Sequence, residues 1–172
     1  ITPSQVNSYH PDTEVECLLN PGVFQFREMT WLVVRVAERP EQKEGEISFP
    51  IIKNGSVEIV SFRLDDPLLD ISDPREPRYN GVTYLSTLSH LRLFNSEDGV
   101  HFKDAGWPNL FGKGDLESYG IEDCRVASMK DGSFLLTYTA TSENGYGVGL
   151  RRTYDWKTHE EFGMILPPAN KD

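Results

Sequence analysis

Three short segments recur along this chain at nearly equal intervals, and no other feature limits its fold as strongly. "TWLVV" (30–34), "TYLST" (83–87) and "SFLLT" (133–137) each run from a small hydroxyl residue through an aromatic to leucine and further strand formers. Their aromatics, Trp31, Tyr84 and Phe134, lie 53 and 50 residues apart. A second echo links "SEDGVHF" (96–102) to "TYDWKTH" (153–159), 57 residues on, each a hydroxyl residue, one residue, then Asp. An interval of ~40–50 residues holding about four strands marks the blades of a β-propeller. The competing reading is chance likeness among the strands of a sandwich.

The rest of the pattern is consistent with strands throughout. Eleven prolines and fourteen glycines are spread so that few windows of a dozen residues could continue as helix. "GVFQFRE", "TWLVVRVAE", "GEISFPII", "SVEIVSFRL", "GVTYLSTLS", "LRLFNS", "CRVASMK", "SFLLTYTAT" and "YGVGLRRT" are rich in β-branched and aromatic residues. Asn54-Gly55, Asn80-Gly81, Asp131-Gly132 and Asn144-Gly145 punctuate them as turns. The chain is expected to be all-β, one incomplete propeller domain over residues 1–172 with blades near 18–64, 80–115 and 119–166. A closed propeller needs at least four blades. The expectation is therefore a longer protein with further C-terminal blades, or a second copy that completes the ring.

Charge narrows the partners. The formal net charge of −10 leaves no default surface for neutralising phosphates, so neither nucleic acid nor an anionic membrane is expected. No apolar run approaches the ~18–20 residues of a membrane span. The opening "ITPSQVNSYH" has no leader pattern, so the expected compartment is the cytoplasm, or the periplasm or exterior if a leader has been removed. Cys17 and Cys124 are far apart and no His cluster has metal-ligand spacing, so neither metal nor organic cofactor is expected.

The chemistry concentrates in "YGIEDCRVA" (119–127), where Glu122 and Asp123 are adjacent and Arg125 follows. Propellers gather functional groups where innermost strands begin, and this stretch stands just before the third aromatic strand. "LLNPGVFQF" (18–26) and "STLSHLRLF" (86–94) occupy comparable places. Asn20, Arg35, Ser89, His90, Arg92, Glu122, Asp123 and Arg125 could thus converge on one pocket. Neighbours on an extended strand face opposite ways, so Glu122 and Asp123 should not both enter it. Two readings stand: an acid whose proton affinity is raised by a second carboxylate, or a salt-bridge knot clamped by Arg125. Among the aromatics, Trp31 is expected in the core. Trp107, in the loop "DAGWPNLFGKGD", is the candidate for stacking on a ligand, and Tyr119 and Trp156 are weaker ones. Arg151 and Arg152 are expected at the surface, and the proline-containing segment 65–80 as an exposed loop.

"YGIEDCRVASMKDGSFLLTYTATSENGYGVGLRRTYDW" and "FGMILPPANKD" resemble glycoside hydrolase family 130, the β-mannoside phosphorylases and mannosidases. That family carries a Gly-x-Glu-Asp-Pro-Arg motif, a strand ending Tyr-Thr-Ala and a Thr/Ser-x-Asp turn. "NPGVFQF", "LVVRVAERPEQKEGEISFP" and "LSHLRLFNSEDGVHF" resemble its earlier blades in order, so the likeness runs from about Leu18 onward. The resemblance implies a five-bladed propeller, with about three blades present in this chain. It also implies inverting cleavage of a β-mannosyl oligosaccharide, with Asp123 as general acid acting through a sugar hydroxyl. Asn20, Arg35, Ser89, His90 and Arg92 fall in segments that line the mannosyl subsite in relatives, and Arg125 matches the motif arginine. Where the family has proline, this chain has Cys124. Phosphorolysis, with inorganic phosphate as co-substrate and α-mannose 1-phosphate as product, is the expected reaction. A hydrolytic β-mannosidase and a non-catalytic glycan-binding module are the alternatives.

Overall fold

A computed structural model describes residues 1–74 and 77–169. Along the chain it forms β1 (Thr13–Phe26), β2 (Met29–Pro40), β3 (Glu46–Lys53), β4 (Ser56–Arg63), β5 (Leu69–Asp70), β6 (Arg78–Tyr79) and β7 (Val82–Thr83). There follow β8 (Leu88–Ser96), β9 (Lys103–Asp104), β10 (Gly120–Ser128), β11 (Phe134–Ser142), β12 (Gly145–Thr153) and β13 (Glu160–Leu166). Two single 3-10 turns, Pro3–Gln5 and Asp115–Glu117, are the helical pieces among the described residues. The protein is all-β.

One eight-stranded sheet runs β1-β2-β8-β10-β11-β12-β13, with β9 paired to β8. It consists of two antiparallel groups of four strands. The first is β1, β2, β8 and β9; the second is the meander β10 to β13. A single parallel pairing, Gly120 with Ser89, joins them. Segments 18–64 and 80–115, expected as separate blades, pair with each other through β2 and β8. The hairpin β3–β4 and the small sheet β5-β6-β7 are inserted between those two strands. Within segment 65–80, expected as plain loop, β5 and β6 pair and Tyr79 stacks on Phe62 at 3.9 Å. Arg75, Glu76 and the terminal "NKD" lie outside the described residues.

Turn chemistry explains the hairpins. Asn54-Gly55 and Asn80-Gly81 have positive φ at both positions, the two-residue turn that matches strand twist. The β1–β2 turn uses Arg27 and Glu28, at φ 52° and 60°, with no glycine to mark it in the sequence. Such a conformation is strained for both residues, and the long β1–β2 ladder holds it.

The main core lies between the two groups. Phe24, Trp31, Val33, Leu91 and Leu93 from the first meet Ile121, Cys124, Leu136, Tyr138, Ala140 and Trp156 from the second. Phe24 stacks on Trp156 at 3.9 Å, and Trp31 is 3% exposed. Aromatic rings of this size bury roughly 150–250 Å² each, so this cluster dominates the packing. The opposite face of β2 and β8 carries a smaller cluster of Val6, Val34 and Phe94.

Candidate active site

Arg35 stands on the core-facing side of β2, in register with Leu91 of β8 and Leu19 of β1. At this level the core gives way to polar groups. Arg35 donates from Nε to Ser89 Oγ at 2.9 Å, from Nη2 to Glu122 Oε1 at 2.8 Å and from Nη1 to Asp123 Oδ1 at 3.3 Å. One guanidinium therefore holds both carboxylates and a hydroxyl, in charge-assisted hydrogen bonds that fix direction as well as distance. Glu122 is buried, whereas the Asp123 side chain keeps 19% of its surface open.

Strand alternation would set these two carboxylates on opposite faces, but both reach Arg35 because the strand is not regular there. Pairing of β10 with β11 skips from Glu122↔Thr139 to Arg125↔Thr137, so Asp123 and Cys124 form a bulge. Asp123 takes φ 51°, a left-handed conformation rare outside glycine, asparagine and aspartate. The kink breaks the period of two and brings Asp123 round to the arginine that Glu122 also reaches. β1 carries a matching irregularity between Leu19 and Gly22, with Asn20 at φ 41°. Arg125 spans the two bulges: its Nη1 donates to Cys124 O at 3.1 Å and to Asn20 O at 3.4 Å. Cys124 is fully buried, and burial pushes its thiol up to about 12.

Beside the bulge opens a cleft of about 340 Å³, lined by Asp123, Arg125, Thr137, Tyr138, Thr139 and Val148. Clefts of about 350 and 420 Å³ lie elsewhere, one under β3 and one beside Arg151, so size does not choose among them. Convergent polar groups do. In the largest cleft Arg151 is paired with Glu117 and Lys113 with Glu161. His159 there is pushed down to about 4 by burial and by Arg151, which leaves it neutral near pH 7. Asp123 instead lines a cleft with Arg125 and two threonines.

No family model matches the sequence. A β-1,2-mannobiose phosphorylase of Listeria innocua serovar 6a is 36% identical over 179 residues, covering all of this chain and 50% of its own length. The solved structure of a Listeria innocua β-1,2-mannobiose phosphorylase in complex with β-1,2-mannobiose matches with TM-score 0.87 at 35% identity. It covers 99% of this chain and 50% of that one. A structure from the GH130 family of mannoside phosphorylases, described as containing glycoside hydrolases that target β-1,2 mannosidic linkages in Candida mannan, shares the fold. Its TM-score is 0.62 at 17% identity, over 95% of this chain and 38% of that one. The chain thus agrees along its whole length with the mannoside-phosphorylase resemblance read from its sequence. It spans about half the length of the curated relative it matches.

Of the motif residues, Asp123 stands on the bulge and Glu122 and Arg125 flank it, and Arg35 and Ser89 join them from β2 and β8. Asn20 reaches the group through its backbone carbonyl, and its residue is exposed. Three other expected residues lie apart. His90 sits on the opposite face of β8, where its Nε2 meets Glu38 Oε1 at 2.9 Å and its ring stacks on Phe111 at 4.8 Å. Arg92 shares that face, pairs with Asp104 and donates to Asn7 O at 2.7 Å. Trp107 packs on Trp31 at 4.7 Å, with Lys157 over its ring, four positions along β2 from Arg35. Trp156 is wholly buried, and Tyr119 donates its hydroxyl to Thr83 O. Arg151, expected at the surface, is 3% exposed.

Thr137, Thr139 and Val148 were not singled out in the sequence. A signal was present: threonines at 137, 139 and 141 keep a period of two, which sets their hydroxyls on one face of β11.

Proposed function

We propose that this chain carries the acid-bearing part of an inverting β-mannoside-active enzyme built on a five-bladed propeller, and that the reaction is phosphorolysis. Asp123 is the general acid. The observation that carries the reading is the convergence of Asp123 and Glu122 on Arg35 beside an open cleft, in a chain 36% identical to a β-1,2-mannobiose phosphorylase.

In this mechanism a phosphate oxygen attacks the anomeric carbon of the mannosyl ring from the face opposite the departing sugar. The bond from that carbon to the glycosidic oxygen breaks, and configuration inverts from β to α. The leaving oxygen takes a proton relayed from the Asp123 carboxyl through a sugar hydroxyl, so Asp123 needs alignment more than contact with the scissile bond. Arg35 orients Asp123, with Glu122 and Ser89 completing its ring of partners. Arg125 and the threonines of β11 offer donors and acceptors for sugar hydroxyls. Hydrolysis would require a second carboxylate across the sugar, ~6.5–9.5 Å from the acid, to activate water. Glu122 is tied to the same guanidinium as Asp123, which favours an anionic nucleophile over a water activated by Glu122.

The test is proton NMR of the protein with β-1,2-mannobiose, with and without inorganic phosphate. α-Mannose 1-phosphate that forms only with phosphate is the expected result, and Asp123→Asn should abolish it while the fold is retained. Free mannose in both tubes would replace phosphorolysis with hydrolysis. Saturable sugar binding without product would leave a glycan-binding module.

A further inference from the structure

Gly22 occupies a place no side chain could share. A Cβ built there would stand 2.7 Å from the Cys124 carbonyl oxygen and 2.9 Å from Val33 Cγ1. Its own backbone does not demand glycine, because its φ is not positive. The requirement comes from close approach of β10 to β1 at the level of the two bulges.

These bulges face each other as a unit. Asn20 and Asp123 are both left-handed, at φ 41° and 51°. Arg125 Nη1 bonds to the carbonyls of Asn20 and Cys124, one from each strand. The Cys124 side chain lies in the main core, and its carbonyl oxygen lies against Gly22. Displacing that carbonyl would turn the Cys124–Arg125 peptide, the second peptide after Asp123, and the two-residue bulge would readjust at Asp123, turning its carboxylate from Arg35.

We propose that Gly22 is a positioning residue for Asp123. By admitting the Cys124 carbonyl it locks the β1 bulge to the β10 bulge and holds Asp123 in the left-handed turn. The proposal rests on the reading of Asp123 as the acid, and its test separates the two.

Asp123 Cα and Cβ chemical shifts, which report backbone conformation, are compared in the wild type, Gly22→Ala, Val33→Ala and the double variant. Turnover of β-1,2-mannobiose with phosphate is measured on the same samples. Gly22→Ala should move the Asp123 shifts away from left-handed values. It should also lower kcat about a hundredfold, the scale of a misplaced catalytic group, with KM changed about twofold or less. Val33→Ala should leave both near wild type. The double variant should stay defective, because the carbonyl contact persists when the valine contact is relieved. Recovery in the double variant, or unmoved Asp123 shifts in Gly22→Ala, overturns the proposal. Should Gly22→Ala fail to fold, Arg125→Gln loosens the same clasp without a clash, and unmoved Asp123 shifts there overturn it equally. A wild type that forms no product would sink the functional reading, while the chemical shifts would still decide the positioning.

Discussion

Two arginines in this protein each hold carboxylates, and their surroundings differ in an instructive way. Arg151 is 3% exposed. Its Nη2 bonds to Glu117 Oε2 at 2.7 Å and to Phe111 O at 3.0 Å, and its Nε to the Tyr138 hydroxyl at 3.1 Å. Tyr138 donates in turn to Glu117 Oε1 at 2.6 Å, and the Lys113 N–H to Glu117 Oε2 at 2.7 Å. Its hydrogen bonds close on one another and none of its members has a positive φ, although β12 shifts register against β13 beside Arg151. Arg35 has the same kinds of partner, but one of them, Asp123, stands on a strained bulge and opens onto a cleft. A closed network fixes a core, whereas a network with one strained, open member can give that member to a substrate.

The sharpest way to break this comparison is to neutralise one carboxylate in each group. Glu117→Gln leaves a buried guanidinium without its countercharge, and should lower unfolding free energy by about 3–5 kcal/mol, read from urea denaturation. Asp123→Asn removes one of two charges on a partly open arginine that keeps Glu122, so its stability should change by about 1 kcal/mol or less. Turnover, by contrast, should vanish in that variant. If Asp123→Asn unfolds the protein as severely as Glu117→Gln, both groups are structural and the distinction fails.

That distinction explains what could be read from the sequence. Strand content was legible because Trp31, Val33 and Phe134 recur in β-branched, aromatic runs between turn residues. Pairing was harder. The recurrence of "TWLVV" and "TYLST" suggested two blades, but only Val82 and Thr83 form β7, while Leu88–Ser96 pairs with β2. Similar local composition does not set which strand is a neighbour. Within the candidate site, residue types at 122, 123 and 125 drew attention to one stretch of β10. Their geometry depends on a bulge and on contacts with β1, both long-range consequences of packing. His90 and Arg92 were misplaced for a simpler reason: Ser89 and Leu91 share one face of β8, and the residues between and beyond them share the other.

A third buried carboxylate sharpens the comparison from the pH side. Glu38 sits on the face away from the cleft, taking hydrogen bonds from the Thr13 hydroxyl at 2.6 Å and the Tyr9 N–H at 2.7 Å, with His90 at 2.9 Å. Burial alone would raise its carboxyl, but the bonds from His90, Thr13 and Tyr9 prevail and lower it to about 2. A folded value below the unfolded one of 4.5 means that the stabilisation is complete above pH 4.5. It is lost as pH falls toward 2, on the order of 3 kcal/mol over that window. Urea midpoints stepped from pH 5 to 2 should fall in the wild type and be flatter in Glu38→Gln. Parallel pH curves for the two proteins would show that this network contributes nothing to acid sensitivity.

The smallest expected effect probes the bulge without altering it. Cys124 lies at the centre of the strained turn, yet its thiol is wholly buried, and burial pushes it up to about 12, far from the thiolate form that reacts. Cys17, on β1, is half-buried and unpaired. A disulfide-exchange reagent at pH 8 should therefore label one thiol per chain promptly, and the second only when denaturant is added. The rate of that second reaction in native buffer measures how often the bulge opens, since a reagent must separate β1 from β10 to reach the sulfur. If strain at Asp123 is held by the Gly22 contact and the Arg125 clasp, Gly22→Ala and Arg125→Gln should both speed Cys124 labelling, and Glu117→Gln should do so only in proportion to global unfolding. Prompt labelling of both thiols in the wild type would mean that the bulge is not closed. Asp123 would then be held by Arg35 alone, and the two arginine groups would differ in exposure but not in strain.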